Sequence, residues 1–203
     1  IQLNGNDSNG NGVLFNARHA NAYGMETELN WLPIDNLSLN AGISLLHTRI
    51  KDNRVYAQTC SLSGAMTCTV EDSYFTKGSG TGKTYYANIN GNPLPNAPEY
   101  NLNLAARYDI PLDNSGKLFV STDWNMQGYT NYVLYQTKEF SSNGNFEGGL
   151  RVGYTHADGA WEIAAYVRNI TDEKNLKGVI ENYRAAVLND PRIIGVSLTA
   201  NLH

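Results

Sequence analysis

The sequence predicts an all-β fold, an antiparallel meander of about seven long strands that forms part of a transmembrane β-barrel wall. Three observations support this prediction. Apolar and polar residues alternate with a period of two in seven segments, the connections between segments are alternately short and long, and aromatic residues stand near the ends of the apolar face. Membrane barrels combine half-polar strands with short turns on one side and long loops on the other.

Composition agrees with a strand-rich fold. The 203 residues carry a formal net charge of −4 and include 10% aromatic residues, 13 of them tyrosines. Such a composition favours strands and turns, and the scattered basic residues predict no nucleic-acid partner. Mean hydropathy is −0.40, and no apolar run is long enough for a membrane helix. A β-barrel, however, crosses the membrane with strands in which apolar and polar residues alternate, so its mean hydropathy stays low.

The alternating segments follow one another along the chain, at about residues 23–31, 37–45, 100–110, 118–126, 146–154, 161–167 and 194–202. Short turns with Pro, Asp, Asn or Gly connect some of them, at 32–36, 111–116 and 157–159. Long connections cover roughly 51–97, 137–145 and 170–191. Seven is an odd number, whereas single-chain bacterial barrels have even numbers of strands. We therefore expect part of a larger barrel, with residues 1–3 as the stub of one more strand.

The two faces of these strands differ in polarity. Charges of both signs on one face predict a hydrated lumen lined by Glu26, Glu28, Arg107, Asp123, Glu147, Arg151, Glu162 and Arg168. The other face is expected to contact lipid through Leu39, Leu102, Leu104, Leu150, Ile163 and Leu198. A lipocalin-like barrel or a sandwich is the alternative with the same periodicity.

The longest connection contains GSGTGKT, residues 78–84, which is similar to a phosphate-binding loop. That motif needs a glycine where Lys77 stands, with a buried strand before it and a helix after it. We interpret the segment as a flexible, polar loop on the long-loop side. Tyrosine offers a rigid apolar body with a polar tip. The ligand-contact candidates are therefore aromatic residues of the long loops, for which packing within the loop is the alternative role: Tyr74, Phe75, Tyr85, Tyr86, Tyr132 and Tyr135.

Two cysteines, Cys60 and Cys68, lie in a polar stretch of the same connection. We predict a disulfide that closes a local loop in an oxidising compartment; two free thiols are the alternative. Their spacing matches no zinc site, and the four histidines do not cluster. The sequence contains no Gly-x-Ser-x-Gly elbow and no evident Ser-His-acid set. We therefore expect neither an enzyme nor a cofactor.

Four segments resemble the C-terminal third of TonB-dependent outer-membrane receptors. They are AYGMETELNWLP at 22–33, PNAPEY at 95–100, VRNITDE at 167–173 and PRIIGVSL at 191–198. Each segment is moderately specific, and their order and spacing strengthen the resemblance. The family usually ends in an aromatic residue, whereas this sequence ends in Asn-Leu-His.

The resemblance implies that residues 1–203 are the C-terminal portion of a receptor barrel of about 22 strands, without its plug domain and N-terminal strands. It implies a bacterial outer-membrane location in contact with lipid, and import of a scarce nutrient driven through TonB, which would contact the missing N-terminal region. A ferric siderophore is the expected ligand, and a saccharide or cobalamin is an alternative. A small porin or adhesin barrel is the alternative outside the family.

Overall fold

The computed structural model describes residues 2–6, 12–56, 70–80, 83–113, 116–180 and 185–201. These residues contain no α-helix and sixteen strands. In chain order the strands are β1 (Gln2–Asn6), β2 (Gly12–Asn16), β3 (His19–Ile34), β4 (Leu37–Lys51), β5 (Val55–Tyr56), β6 (Tyr74–Lys77), β7 (Thr84–Ala87), β8 (Tyr100–Leu112), β9 (Gly116–Gln127), β10 (Thr130–Asn131), β11 (Ser141–Ser142), β12 (Asn145–Thr155), β13 (Trp161–Arg168), β14 (Leu176–Ile180), β15 (Ala185–Leu188) and β16 (Ile193–Ala200).

Seven of these strands form one antiparallel sheet, which we call the wall. Its spatial order is β16-β13-β12-β9-β8-β4-β3, so each wall strand pairs with the wall strands before and after it in the chain. The predicted meander of seven long strands is confirmed. The predicted extra strand at the N-terminus exists as β1, but it pairs with β2 in a separate hairpin and does not extend the wall.

The register keeps each face of the wall continuous. Direct partners on neighbouring strands share a face because side chains alternate along each strand. One row of partners therefore crosses the whole wall on its apolar face: Trp31, Leu39, Ala106, Thr122, Leu150, Val167 and Ile194. A row on the opposite, polar face contains Ser38, Arg107, Ser121, Arg151, Tyr166 and Gly195.

Short connections occupy one end of the wall. Asn36 has a φ of 64° in the β3–β4 turn, and Gly116 and Gly159 have φ values of 107° and 72° in the next two. Asparagine and glycine adopt this left-handed region at low cost, which explains why the chain reverses within a few residues there. The long connections all lie at the other end, as the alternation of short and long segments predicted.

Aromatic residues gather near both ends of the apolar face. Towards the short turns, the rings of Tyr154 and Trp161 have centroids 5.2 Å apart. Towards the long connections, Trp124 and Phe146 stack with centroids 5.1 Å apart and an interplanar angle of 17°. Between these groups the apolar face carries mainly aliphatic side chains. This arrangement is typical of the aromatic girdles that flank the apolar band of a membrane barrel.

The apolar face of the wall is uncovered in the described residues. Leu198 is 71% exposed, Val196 is 70% exposed and Trp31 is 55% exposed. A sheet of a soluble protein normally packs such a face into a core. Here the buried apolar cluster instead lies among the long connections. No helix in the described part of the chain is long and apolar enough to cross a membrane.

Trp124 lies over Gly148 on the apolar face, where a Cβ added to the glycine would meet the indole ring at 2.2 Å. We expect Gly148→Ala to displace the ring, break its stack on Phe146 and lower the free energy of unfolding by about 1–3 kcal/mol. Gly42→Ala is the matched control, because a Cβ there meets nothing within 4 Å. It should stabilise the protein by about 0.5 kcal/mol. Urea unfolding followed by tryptophan fluorescence measures both; equal effects would contradict this packing.

Candidate ligand-binding site

The long connections fold into an ordered layer, which we call the loop cap: described residues 52–56, 70–80, 83–99, 129–144, 169–180 and 185–192. Within it β7 pairs with β5 on one side and β6 on the other, and Val70 pairs with Thr137 across two connections. Its core contains Val55, Ala87, Ile89, Val133, Leu134, Tyr135 and Phe140, joined by Ala17 and by Ile50 from the end of β4. The sequence predicted long loops here but not these small sheets.

The GSGTGKT segment connects β6 to β7 as the turn of a hairpin. Gly78 and Gly80 have φ values of 91° and 61°, and Thr81 and Gly82 lie outside the described residues. A strand, β7, follows the segment where a phosphate-binding loop would be followed by a helix. The rejection of a nucleotide site is consistent with this local structure.

The hairpin presents a cation–aromatic surface formed by Arg54, Phe75 and Tyr86. Phe75 and Tyr86 are direct strand partners, and their rings stack with centroids 5.4 Å apart and an interplanar angle of 18°. The Arg54 guanidinium carbon lies 4.9 Å from the Tyr86 centroid and 5.9 Å from that of Phe75. Lys77 shares the face of β6 that carries Phe75. Rings and cations combined in this way can bind a flat or anionic group.

The six predicted ligand-contact residues fall into two groups. Tyr74 and Phe75 are exposed, and Tyr85 and Tyr86 are half-buried on the paired strand. Tyr132 and Tyr135 are buried in the loop cap, and the Tyr132 hydroxyl donates a hydrogen bond to the Leu176 carbonyl. Burial raises the pKa of Tyr132 above its ordinary value. Ligand contact stays a prediction for all six residues.

Asp72 connects three segments of the loop cap. Its Oδ2 accepts hydrogen bonds from the Asn92 side-chain amide at 2.6 Å and from the Gln136 backbone N–H at 2.7 Å. Burial raises the pKa of Asp72 above its ordinary value near 3.8, although both hydrogen bonds act in the opposite direction. Sequence reasoning missed Asp72 and Arg54, because each acts through partners distant in the chain. In the sequence, Asp72 follows Glu71 in a polar stretch, and nothing in that stretch indicates that the carboxyl is part-buried.

The eight residues predicted to line the lumen all lie on the polar face of the wall, by strand register: Glu26, Glu28, Arg107, Asp123, Glu147, Arg151, Glu162 and Arg168. Several have charged partners. Arg151 pairs with Glu162 at 2.8 Å, and Glu147 pairs with Lys177 of the loop cap at 2.6 Å. That this face borders a lumen stays a prediction.

Phe119 is an apolar exception on the polar face. It is fully buried, with the Arg107 guanidinium carbon 4.0 Å from its ring centroid and that of Arg151 at 5.8 Å. A Cβ added to Gly153 would meet the Phe119 ring at 2.7 Å, so the glycine makes room for the ring. Arg107 also pairs with Asp109 at 3.0 Å, as does Lys117. Period-two alternation did not predict this cluster, because the pattern assigns no role to a single apolar residue on the polar face.

The VRNITDE segment has a structural role after β13. Asn169, with a φ of 47°, donates through its side-chain amide to the carbonyls of Glu173 at 2.9 Å and Asp190 at 3.0 Å. Its Oδ1 accepts from the Glu173 N–H at 3.0 Å. The asparagine thereby closes the base of the last long connection, which explains why this residue type follows the strand.

Cys60 and Cys68 lie outside the described residues, so the disulfide stays a prediction. In the described part of the chain no group of three or more His, Cys, Asp or Glu residues could hold a metal ion. His47 contacts the Tyr23 ring with centroids 5.0 Å apart, and His156 pairs with Asp158 at 2.7 Å in a short turn. Among the described residues, neither histidine contacts a serine that could form a Ser-His-acid set.

No family model and no curated protein matches this chain. Solved structures do. The ferric yersiniabactin uptake receptor FyuA from Yersinia pestis matches with a TM-score of 0.64 and 17% identity, over 92% of this chain and 24% of that one. The siderophore receptor PiuA from Acinetobacter baumannii matches with a TM-score of 0.62 and 16% identity, over 96% and 23%.

A third match is the ferripyoverdine receptor of the outer membrane of Pseudomonas aeruginosa, bound to ferripyoverdine. It has a TM-score of 0.54 and 17% identity, over 93% of this chain and 20% of that one. This chain therefore spans about a quarter or less of each of these receptors. Its fold is similar to that of part of the β-barrels of these receptors, which confirms the predicted fold class and, at the level of the fold, the resemblance.

The contacts of Asp72 make the loop cap sensitive to substitution. We expect Asp72→Leu to lower the free energy of opening the cap by about 1–3 kcal/mol, because the Asn92 amide and the Gln136 N–H lose their acceptor. Asp72→Asn keeps an acceptor oxygen and should retain most of the stability. The protection of the Gln136 amide against hydrogen exchange measures the opening; equal losses in both variants would contradict this role.

The same site predicts a pH dependence. Because the folded-state pKa of Asp72 is raised above 3.8, the neutral carboxyl stabilises the cap fully below that value, and this contribution is lost as pH rises through the raised pKa. Asp72→Asn should remove this part of the slope. Protection factors of Gln136 in both proteins, corrected for intrinsic exchange, measure the difference. A wild-type slope that persists in Asp72→Asn would show that other groups cause it.

Proposed function

We propose that the chain is part of an outer-membrane active transporter that imports a ferric siderophore, with energy supplied through TonB. One observation carries the proposal: 92–96% of the chain matches the folds of three receptors whose names specify siderophores or their ferric complexes. TonB would contact a region outside this sequence, as the sequence resemblance implies. The polar face would line the lumen, and the loop cap would stand on the extracellular side.

Uncovered apolar surface supports the membrane setting. The wall exposes large aliphatic side chains between two groups of aromatic residues, as a lipid-facing band does. The opposite face carries paired charges and amides, which water in a lumen solvates. The outer-membrane location follows the same proposal, since one matched receptor is described as an outer-membrane protein.

Ligand contact is proposed at the cation–aromatic surface of the β6–β7 hairpin. An iron complex with aromatic or anionic chelating groups would stack on Phe75 and Tyr86 and pair with Arg54. Tyr74 and Tyr85 extend the same hairpin. Tyr132 and Tyr135, which are buried, would act by holding the loop cap in shape. All three matched structures are receptors, which favours neither an enzyme nor a small complete porin or adhesin.

Uptake by the complete receptor that contains this chain tests the proposal. The receptor should be expressed in cells that lack their own siderophore receptors. These cells would then be supplied with a panel of labelled ferric siderophores, a saccharide and cobalamin. We expect accumulation of at least one ferric siderophore, and its loss when TonB is deleted. Accumulation of only the saccharide or cobalamin, or uptake that persists without TonB, would contradict the proposal.

Ligand contact at the hairpin can be separated from general damage to the barrel. We expect Phe75→Ala to weaken binding of the transported ferric siderophore roughly five- to tenfold, since one ring of a stacking surface is lost. Tyr108→Ala is the matched control: Phe75 is 44% exposed and Tyr108 is 43% exposed, but Tyr108 lies on the apolar face of the wall. Titration of the purified receptor measures both affinities. Equal losses would remove the hairpin from the site.

The orientation of the wall predicts opposite responses to a charge at adjacent positions. Leu104→Arg should destabilise the barrel by about 2–4 kcal/mol, because the guanidinium is carried into hydrocarbon. Asn103→Arg, one residue away on the exposed polar face, should cost far less because water solvates the charge. Equilibrium folding of the complete barrel into lipid vesicles compares the two. A greater cost for Asn103→Arg would mean that the faces are reversed.

A further inference from the structure

Two wall strands continue past the apolar band on the side of the loop cap. On the apolar face Leu45 pairs with Tyr100, the first residue of β8. Beyond this point β3 and β4 keep pairing with each other through Tyr23 and His47, Asn21 and Arg49, and His19 and Lys51. By alternation these side chains share the face of Leu45. The lipid-facing side of the wall therefore ends, at these two strands, in a set of basic residues.

The basic side chains of β4 are exposed at the edge of the loop cap, where the Arg49 guanidinium lies 3.8 Å from the position of a Cβ added to Gly91. His47, Arg49 and Lys51 are exposed, whereas the residues between them, Thr48 and Ile50, are buried. The β4 strand thus has one face under the cap and the other in solvent. The extension is a ribbon with a basic outer surface.

Neither Arg49 nor Lys51 forms an ion pair with any residue that the structure describes. Asp52, the next acidic residue along the chain, is buried and accepts from the backbone N–H groups of Arg18 and Arg54 at 3.0 Å each. Two exposed cations without a carboxylate partner are complementary to an anion outside the chain.

The distance of these residues from the apolar band, measured along the membrane normal, indicates which kind of anion they meet. Four residues along a strand tilted by about 45° rise roughly 9 Å, so Arg49 stands about that far above Leu45. Lys51 stands a few ångströms higher, and its flexible side chain can bend back towards the membrane. The polar headgroup layer begins where the hydrocarbon ends and is about 5–8 Å thick, so the Arg49 backbone stands near its outer edge. The long side chain of Arg49 also reaches back to the headgroup phosphates. Because both cations lie on the outside of the barrel, they do not face a ligand in the lumen.

We propose that Arg49 and Lys51 bind phosphate groups of lipid in the outer leaflet of the membrane. Tyr23 and His47, whose rings are 5.0 Å apart, lie between these cations and the apolar band, at the level where amphipathic rings settle. The proposal rests on the membrane setting of the proposed function and is independent of the identity of the transported ligand.

Lipid binding by the complete receptor tests the proposal. The probes are a bisphosphorylated lipid A, the same lipid without its phosphates, and inorganic phosphate alone, each added to the receptor in zwitterionic detergent. The variants are Arg49→Gln with Lys51→Gln, the charge-conserving pair Arg49→Lys with Lys51→Arg, and a control pair, Lys138→Gln with Lys174→Gln. The control removes the same charge from exposed positions of the loop cap outside the candidate ligand surface.

We expect the wild type to bind the phosphorylated lipid and to bind the other two probes much more weakly. The Arg49 and Lys51 glutamine pair should weaken lipid binding by at least about tenfold, since each cation near an anionic surface increases the affinity roughly fivefold. The charge-conserving pair and the control pair should bind like the wild type. Unchanged binding in the glutamine pair, an equal loss in the control pair, or equal binding of the dephosphorylated lipid would overturn the proposal. Siderophore uptake in the same variants reports separately on the proposed function.

Discussion

Strand register is the constraint on which the rest of this structure depends. A slip of one residue between any two wall strands would move every apolar side chain of one strand to the polar side. In the observed register a single row from Trp31 to Ile194 stays on one face across seven strands. The turns maintain this register with residues that tolerate left-handed backbone, such as Asn36 and Gly116. The two chemically different faces therefore extend over the whole wall.

Once the faces are fixed, neither face of the main sheet packs against a second layer to form a core in the part of the chain that the structure describes. Burial is concentrated in the loop cap, where Ala87 and Ile89 are fully buried, and in a local cluster on the polar face around Phe119. The cap depends on polar contacts as well as apolar ones, since Asp72 connects segments 64 residues apart through its bond to Gln136. We therefore expect the wall and the cap to respond to different perturbations: the wall to charge on its apolar face, and the cap to loss of its part-buried hydrogen bonds.

The sequence predicted the wall well because period-two alternation is a local property. The alternation is visible in the sequence of each strand alone, as in residues 37–45, and turn residues indicate where the strands end. The cap could not be predicted in this way. Contacts such as Val70 with Thr137 or Arg54 with Tyr86 join residues whose neighbours in the chain give no periodic signal. Phe119 was missed because its burial depends on Arg107 and Arg151, which come from other strands.

Spin-label accessibility along β8 in the complete membrane-inserted protein tests most directly whether the apolar face contacts hydrocarbon and the polar face contacts water. Single labels at positions 101 to 107 would be compared for collision with oxygen, which dissolves in lipid, and with a water-soluble nickel complex. We expect oxygen access at the even positions and nickel access at the odd positions, including 107. Equal access to the nickel complex at all positions, or the opposite alternation, would contradict it.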